Sequence, residues 1–183
     1  MIRKLKIIGL LIVGLGIIIT ATFIIQRRNT RKFSPAAVAT FENKDLSVEI
    51  KYCRPYKKGR VIFGKASDGA LQPFGEYWRL GANEATTIEL NRDVMFGNQK
   101  LAKGTYSMYA IPGESSWIIG INSDAHHWGY AEPDHDKDVL QIKVPVTYKS
   151  EPLEQFKINI NQSDSGAFIQ LNWDTSEITI PIK

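Results

Sequence analysis

The segment that decides the fold class spans residues 140–146 and reads Leu-Gln-Ile-Lys-Val-Pro-Val. Its apolar residues occupy every second position, so they share one face of an extended chain. Similar alternation recurs in residues 46–53, 86–91, 105–110, 156–160 and 178–182. A period of two is typical of strands that bury one face. The sequence therefore predicts that the chain after residue 32 is all-β.

Turn-forming residues and prolines separate or interrupt the predicted strands. Gly97-Asn98 lies between Val94–Phe96 and Gln99–Leu101, which is the pattern of a tight hairpin. Pro145 and Pro181 predict edge strands, because proline lacks the N–H donor that an interior strand needs. About nine or ten short strands in a domain of about 150 residues favour an antiparallel β-sandwich. Jelly-roll and immunoglobulin-like connectivity both fit this pattern.

The N-terminal segment has a different character. Residues 7–25 contain no charged side chain, and as a helix they would span roughly 28 Å, close to a hydrocarbon core of about 30 Å. A cleavable signal peptide has a shorter apolar region that ends in small residues, whereas this one ends Phe-Ile-Ile-Gln. We therefore predict one transmembrane helix whose residues 7–25 contact the lipid bilayer. Residues 1–32 form the membrane anchor and basic linker, and residues 33–183 form the β-sandwich domain.

The charges are distributed unevenly between these two parts. Residues 1–32 carry seven Lys or Arg and no acidic residue, which leaves 16 basic and 19 acidic residues, a formal charge of −3, in the rest of the chain. This charge argues against nucleic acid as a partner. The basic residues on the two sides of the apolar segment nearly balance, so charge does not fix the orientation. The single cysteine, Cys53, excludes a disulfide within the chain.

The densest group of polar and aromatic residues lies between two predicted strands, where loops often carry binding residues. Arg79 offers a planar guanidinium for a carboxylate or phosphate, and Trp78 offers a ring for stacking. The candidate ligand-binding residues are Arg54, Trp78, Arg79, Asn83 and Glu84. The structural alternative is an Arg79–Glu84 ion pair beneath a buried Trp78, with Asn83 in a tight turn.

Three histidines and four aspartates lie close together further along the chain. They are His126, His127, His135, Asp124, Asp134, Asp136 and Asp138. Histidine and carboxylate groups are ligands for zinc and similar metals, but adjacent histidines on an extended chain point to opposite sides. We therefore predict a solvated acidic loop and no metal site.

No cofactor is predicted. Residues 59–66 are similar to a phosphate-binding loop, but Ala66 replaces the Ser or Thr that would hold magnesium. The interior of this segment also has the composition of a strand, whereas the motif requires a loop that opens a helix.

A longer set of motifs carries a family resemblance. Residues 78–86 contain the pattern Trp-Arg-x-Gly-Ala-Asn-Glu-Ala-Thr, and matching motifs occur in order at 59–64, 104–107 and 111–113. On these residues the chain resembles the bacterial domain of unknown function 2911 family over residues 34–182. The resemblance implies a β-rich fold and export of the domain to the periplasmic or extracellular side, and it implies no particular activity. The chain differs from the usual family pattern at Cys53, Phe74 and Leu80.

Two functional hypotheses remain open. The first is a single-pass, membrane-anchored envelope protein whose β-sandwich binds a small molecule, glycan or protein without catalysis. The second is an envelope hydrolase or lyase that uses Arg79 and Glu84, together with the loop of histidines and aspartates. The sequence contains no nucleophile elbow and no H-E-x-x-H motif. Convergence of Arg54, Arg79, Asn83, Glu84 and a histidine on one pocket would favour the enzyme.

Overall fold

The computed structural model describes residues 2–125, 127, 129, 131–164 and 166–183. Two compact units make up the chain, Met1–Phe33 and Ser34–Lys183.

The first unit is a single α-helix, α1 (Ile2–Phe33). Its stretch Leu11–Phe33 has a mean hydropathy of 1.6 and is long and apolar enough to cross a membrane. Many of its large apolar side chains are exposed. Thr20 donates its hydroxyl to the carbonyl oxygen of Gly16 at 2.9 Å, so this polar group is satisfied within the helix itself.

The end of α1 differs from the sequence-based prediction. The sequence predicts a polar linker over residues 26–35, but the helix continues to Phe33. Glutamine, arginine and lysine, which dominate this stretch, have good helix propensity. The helix ends before Ser34, because Pro35 disfavours helical geometry in the residue that precedes it.

The second unit is built from antiparallel strands, which confirms the predicted all-β class. Its strands are β1 (Ala36–Glu42), β2 (Ser47–Cys53), β3 (Phe63–Gly64), β4 (Gln72–Pro73), β5 (Thr86–Leu90), β6 (Val94–Phe96), β7 (Gln99–Leu101), β8 (Gly104–Ile111), β9 (Ser116–Asn122), β10 (Asp138–Ser163) and β11 (Gly166–Ile182). In the described part of the chain, a nine-stranded sheet has the order β1-β2-β5-β8-β9-β10-β11-β6-β7. β3 and β4 form a separate, short parallel pair.

Strand β10 joins the two layers of the sandwich. Its first part pairs with β9 as far as Pro145, which lies opposite Ser116. From Val146, opposite Ile178, it pairs with β11. Strands β1, β2, β5, β8 and β9 thus form one layer with the first part of β10, and β11, β6 and β7 form the other layer with its second part.

The prediction that Pro145 and Pro181 mark edge strands is wrong. Both residues lie in strands with neighbours on two sides, β10 and β11. Pro145 is tolerated because it lies where β10 changes partner. Pro181 takes part in the sheet through its carbonyl oxygen, which accepts a hydrogen bond from the Gly97 N–H at 2.8 Å.

The two layers share one hydrophobic core. An aromatic group lies within it, where Trp78 is 5.6 Å from Trp117 and 5.7 Å from Trp173 between ring centroids. All three indoles are at most 2% exposed. Large aromatic side chains bury more apolar area than any others, so this group is a principal source of stability. Trp78 is therefore a core residue, as the structural alternative requires.

Candidate functional site

The loop of residues 79–85 has an uncommon backbone conformation. Leu80, Gly81 and Asn83 have positive φ angles of 51°, 151° and 62°. At Gly81 an added Cβ would lie 2.7 Å from the carbonyl oxygen of Cys53, so a side chain would not fit there. Positive φ angles are costly for residues other than glycine and persist only where the surroundings impose them. The loop is thus held in one shape by its neighbours.

Two buried side chains provide that support. The indole Nε1 of Trp78 donates to the carbonyl oxygen of Gly81 at 3.1 Å. The Oγ1 of Thr86 donates to the carbonyl oxygen of Leu80 at 2.7 Å. Buried carbonyl groups need such partners, because leaving one unsatisfied costs about 1–3 kcal/mol. The core therefore fixes the base of the loop.

Further contacts place the polar side chains that the sequence singles out. Arg79 Nη1 donates to the carbonyl oxygen of Asn83 at 3.3 Å. Asn83 Nδ2 donates to the carbonyl oxygen of Ser34, also at 3.3 Å. Glu84 Oε2 lies 3.5 Å from the Cys53 thiol. The ion pair between Arg79 and Glu84 stays a prediction.

A cleft of about 230 Å³ opens beside this loop. The residues that line it are Pro55, Arg60, Leu71, Gln72, Tyr77, Trp78, Arg79, Gly81, Ala82, Asn83 and Trp173. Three of the predicted site residues are thus brought together here: Trp78, Arg79 and Asn83. Arg54 and Glu84 are absent from the lining among the described residues, and Arg54 Nε instead donates to the carbonyl oxygen of Phe156 at 3.1 Å.

Arg60 is a residue of this cleft that sequence reasoning missed. Its Nε donates to the carbonyl oxygen of Lys57 at 2.9 Å, and its Nη2 donates to that of Tyr56. Arg60 is therefore positioned by backbone groups. It is brought to Arg79 by the parallel pairing of β3 with β4, and sequence pattern does not reveal a pairing of two-residue strands.

The floor of the cleft is aromatic. Trp78 and Trp173 stack in the core and also line the cleft. Among the described residues, the Trp173 Nε1–H has no hydrogen-bond partner. Burial raises the pKa of Tyr77 to about 12, although the positive charge of Arg79 acts to lower it. Tyr77 therefore stays a neutral phenol near pH 7.

The family described as Protein of unknown function (DUF2911) matches residues 34–182. The chain belongs to this DUF2911 family. The match spans the whole second unit except its last residue, and it confirms the family resemblance. No curated protein and no solved structure matches the chain.

A second polar group of the DUF2911 domain lies on β8, β9 and β10 and in the segment before β10. We call it the Tyr109 network; it consists of Tyr109, Asn122, Glu132, His135, Asp138 and Gln141. The Tyr109 hydroxyl donates to Asp138 Oδ2 at 2.6 Å, and Asn122 Nδ2 donates to Asp138 Oδ1 at 2.8 Å. Gln141 Nε2 donates to the Tyr109 hydroxyl oxygen at 2.7 Å. The Asp138 carboxylate is thus held from two sides.

His135 completes the Tyr109 network between two carboxylates. Its Nδ1 lies 2.8 Å from Asp138 Oδ2, and its Nε2 lies 3.0 Å from Glu132 Oε1. The hydrogen bonds to Glu132 and Asp138 raise the pKa of His135 above its usual value. Burial acts to raise the pKa of Asp138, but its hydrogen bonds outweigh this effect and hold that pKa below the usual range. The geometry therefore favours an imidazolium between two carboxylates.

The predicted loop of histidines is divided between different environments. His135 belongs to the Tyr109 network, whereas His127 Nδ1 lies 2.9 Å from the carbonyl oxygen of Asp124. His126 lies outside the described residues. Among the residues that are described, no three His, Cys, Asp or Glu side chains are grouped so that they could hold a metal ion.

Proposed function

We propose that this DUF2911 protein is a membrane-anchored envelope protein whose β-sandwich is a non-catalytic binding module. The observation that carries this proposal is the cleft beside residues 79–85. It combines two arginine side chains with an aromatic floor and has a volume of about 230 Å³. A concave, largely apolar site with a few convergent polar groups is the usual form of a small-molecule site.

The rigidity of the cleft supports binding. Its floor belongs to the core, and the hydrogen bonds of Trp78 and Thr86 fix its loop. A site that is already shaped before the ligand arrives avoids the entropic cost of ordering on binding. The unknown ligand is a small molecule, a glycan or a segment of a protein, and nucleic acid does not fit the acidic charge of the domain.

The enzyme alternative lacks the convergence that it requires. Neither Glu84 nor a histidine is among the described residues that line the cleft with Arg79. His135 is paired with Glu132 and Asp138 in the Tyr109 network. We therefore favour binding over a hydrolase or lyase.

The anchor is part of the proposal. We propose that residues 7–25 of α1 remain in the bilayer and that the domain lies on the periplasmic or extracellular side. In support, α1 is long and apolar enough to span. Alkaline extraction of membranes should leave the full-length chain in the pellet. A reporter fused after Lys183 should be active only outside the cytoplasm, and a reporter active only inside would refute the orientation.

Binding can be tested on the full-length chain in detergent micelles. Ala82 lines the cleft, so Ala82→Trp should fill it, whereas Ala66→Trp places the same side chain at an exposed site outside the cleft. We expect some members of a panel of organic acids, monosaccharides and short peptides to raise the Tm of the wild type and of Ala66→Trp. At about 100 times Kd a ligand adds about 2.7 kcal/mol, or roughly 5–10 °C for a chain of this size.

The filled variant decides the outcome. Loss of these shifts in Ala82→Trp supports the proposed site. Equal shifts in Ala82→Trp and the wild type, or a panel without any shift, would contradict it.

A further inference from the structure

The cleft carries positive charge that its own lining does not offset. Arg60 and Arg79 both line it, and no carboxylate is among the described residues of the lining. Each guanidinium is oriented by main-chain carbonyl oxygens, of Tyr56 and Lys57 for Arg60 and of Asn83 for Arg79. An arginine has five N–H donors in a planar fork, and Arg60 uses two of them in these bonds. The pair is therefore suited to a ligand that brings acceptor oxygens and negative charge.

We infer that the ligand of this cleft is a small molecule in which a carboxylate or phosphate is joined to a flat apolar group. This inference rests on the proposed function and names the class of ligand. The guanidinium fork matches the geometry of carboxylate and phosphate oxygens in a bidentate contact. Such charge-assisted hydrogen bonds are about twice as strong as neutral ones.

The apolar part of the ligand follows from the floor and walls. Trp78 and Trp173 form the floor, and Pro55 and Leu71 add apolar surface to the lining. Leu71 is one of the exposed large apolar side chains of the domain, at 37%. A flat group that lies on the indoles would cover this surface and remove it from water, which favours binding.

The size of the cleft limits the ligand. Its volume of about 230 Å³ is below the range of about 300–1,000 Å³ that is usual for drug-sized ligands. A single ring with one anionic group is therefore the scale of molecule that the cleft can enclose. Asn83 and Gln72 add amide groups to the lining, which can fix the orientation of such a molecule.

The inference is tested with four probes on the full-length chain in detergent: benzoate, phenyl phosphate, benzamide and N-acetylglucosamine. Benzamide keeps the ring and size of benzoate but removes the charge. Trp78 and Trp173 line the cleft, so binding there should change the intrinsic tryptophan fluorescence. We expect benzoate or phenyl phosphate to bind at least about tenfold more tightly than benzamide. The better of the two anions identifies which oxyanion the arginines prefer.

Two arginine variants and one control locate the charge. Arg79→Gln and Arg60→Gln should each weaken binding of the anion by about tenfold or more and leave benzamide binding unchanged. Arg79→Lys, which keeps the charge but loses the fork, should have an intermediate effect. Arg92→Gln removes an exposed arginine that does not line the cleft, and it should bind as the wild type does.

The outcomes separate this inference from the proposed function. If benzamide or N-acetylglucosamine binds as tightly as the anions, and the arginine variants bind normally, the ligand class is wrong while the binding module stands. If an anion binds equally well to Arg79→Gln and Ala82→Trp, it binds elsewhere, and the inference is overturned. If no probe binds to the wild type, the ligand class named here is refuted, and the panel with Ala82→Trp then decides the proposed function.

Discussion

Gly120 lies directly opposite Tyr109 in the pairing of β8 with β9, and it has no side chain because the ring of Tyr109 occupies that space. A Cβ at Gly120 would lie 2.1 Å from Cζ of the tyrosine. The glycine thus lets the Tyr109 ring lie flat across the neighbouring strand, which brings its hydroxyl to Asp138. The conformational freedom of glycine plays no part here, because the requirement is one of space.

Gly120→Ala should therefore destabilise the domain. The ring cannot move without losing its hydrogen bonds to Asp138 and Gln141, and overpacking of this kind costs about 1–3 kcal/mol. Urea denaturation measures the change. Gly64→Ala is the matched control, because the nearest atoms to its new Cβ are side-chain atoms at an ordinary 3.5 Å. Equal stability of the two variants would contradict the prediction.

Thr86→Val should lower stability because it removes a buried hydrogen bond at nearly constant volume. The carbonyl oxygen of Leu80 would lose its 2.7 Å bond to Thr86 Oγ1, at a cost of about 1–3 kcal/mol. Thr87→Val is the control, since Thr87 points to the other face of β5 and is only half-buried. Thermal unfolding of both variants gives the comparison, and a Thr86→Val variant as stable as the control would show that the bond is unimportant.

Asn83 separates backbone strain from side-chain bonding. It has a positive φ of 62°, so Asn83→Ala both strains the backbone and removes the bond to Ser34. We expect a loss of about 1–2 kcal/mol. Asn83→Gly removes the same bond but tolerates the φ angle, so it should recover much of that loss. If glycine is no better than alanine, the φ angle is not what selects asparagine here.

The Tyr109 network should make stability depend on pH. The pKa of His135 is raised in the folded domain, so the stabilisation from its protonated form is fully present below about pH 6.5 and is lost as pH rises through the folded pKa. The pKa of Asp138 is lowered, so its contribution is present above its ordinary value and is lost as pH falls through the folded pKa. His135→Gln should flatten the decline on the alkaline side.

The size of this effect is limited by solvent. The His135 side chain is 42% exposed, and ion pairs that are open to water contribute about 0–1 kcal/mol. Urea denaturation between pH 5 and pH 9 measures it, with Glu76→Gln as a control that removes an exposed carboxylate outside the network. An unchanged pH profile in His135→Gln would rule out the imidazolium as its source.

Sequence pattern predicts those parts of the fold in which neighbours along the chain decide the structure. The alternation in β2, β5 and β8 is read correctly because one face of each strand meets the core. The hairpin of β6 and β7 is confirmed, and Gly97 has the positive φ of 63° that its turn requires. β1 escapes prediction, because its sequence Ala-Ala-Val-Ala-Thr-Phe-Glu has little contrast between its two faces.

Other features depend on residues that are distant in sequence. β10 is longer than either segment predicted within it, because its exposed middle is held by pairing with β11 and has no alternation of its own. In the cleft, Trp78, Arg79 and Asn83 were selected correctly as neighbours on one loop. Arg60 and Trp173 come to the same place through tertiary contacts, and their own surroundings in the sequence carry no signal of it.

Strand β10 also determines how the sandwich comes apart. Because it passes from one layer to the other, the layers are joined by a continuous covalent backbone where many sandwiches have only a loop. Neither layer can lose its central ladder without disturbing the alignment of the other. Amide hydrogens on both sides of Pro145 should therefore exchange with deuterium in a single concerted opening, with the same free energy for both layers. In this molecule the strand that builds the sandwich also makes its unfolding cooperative.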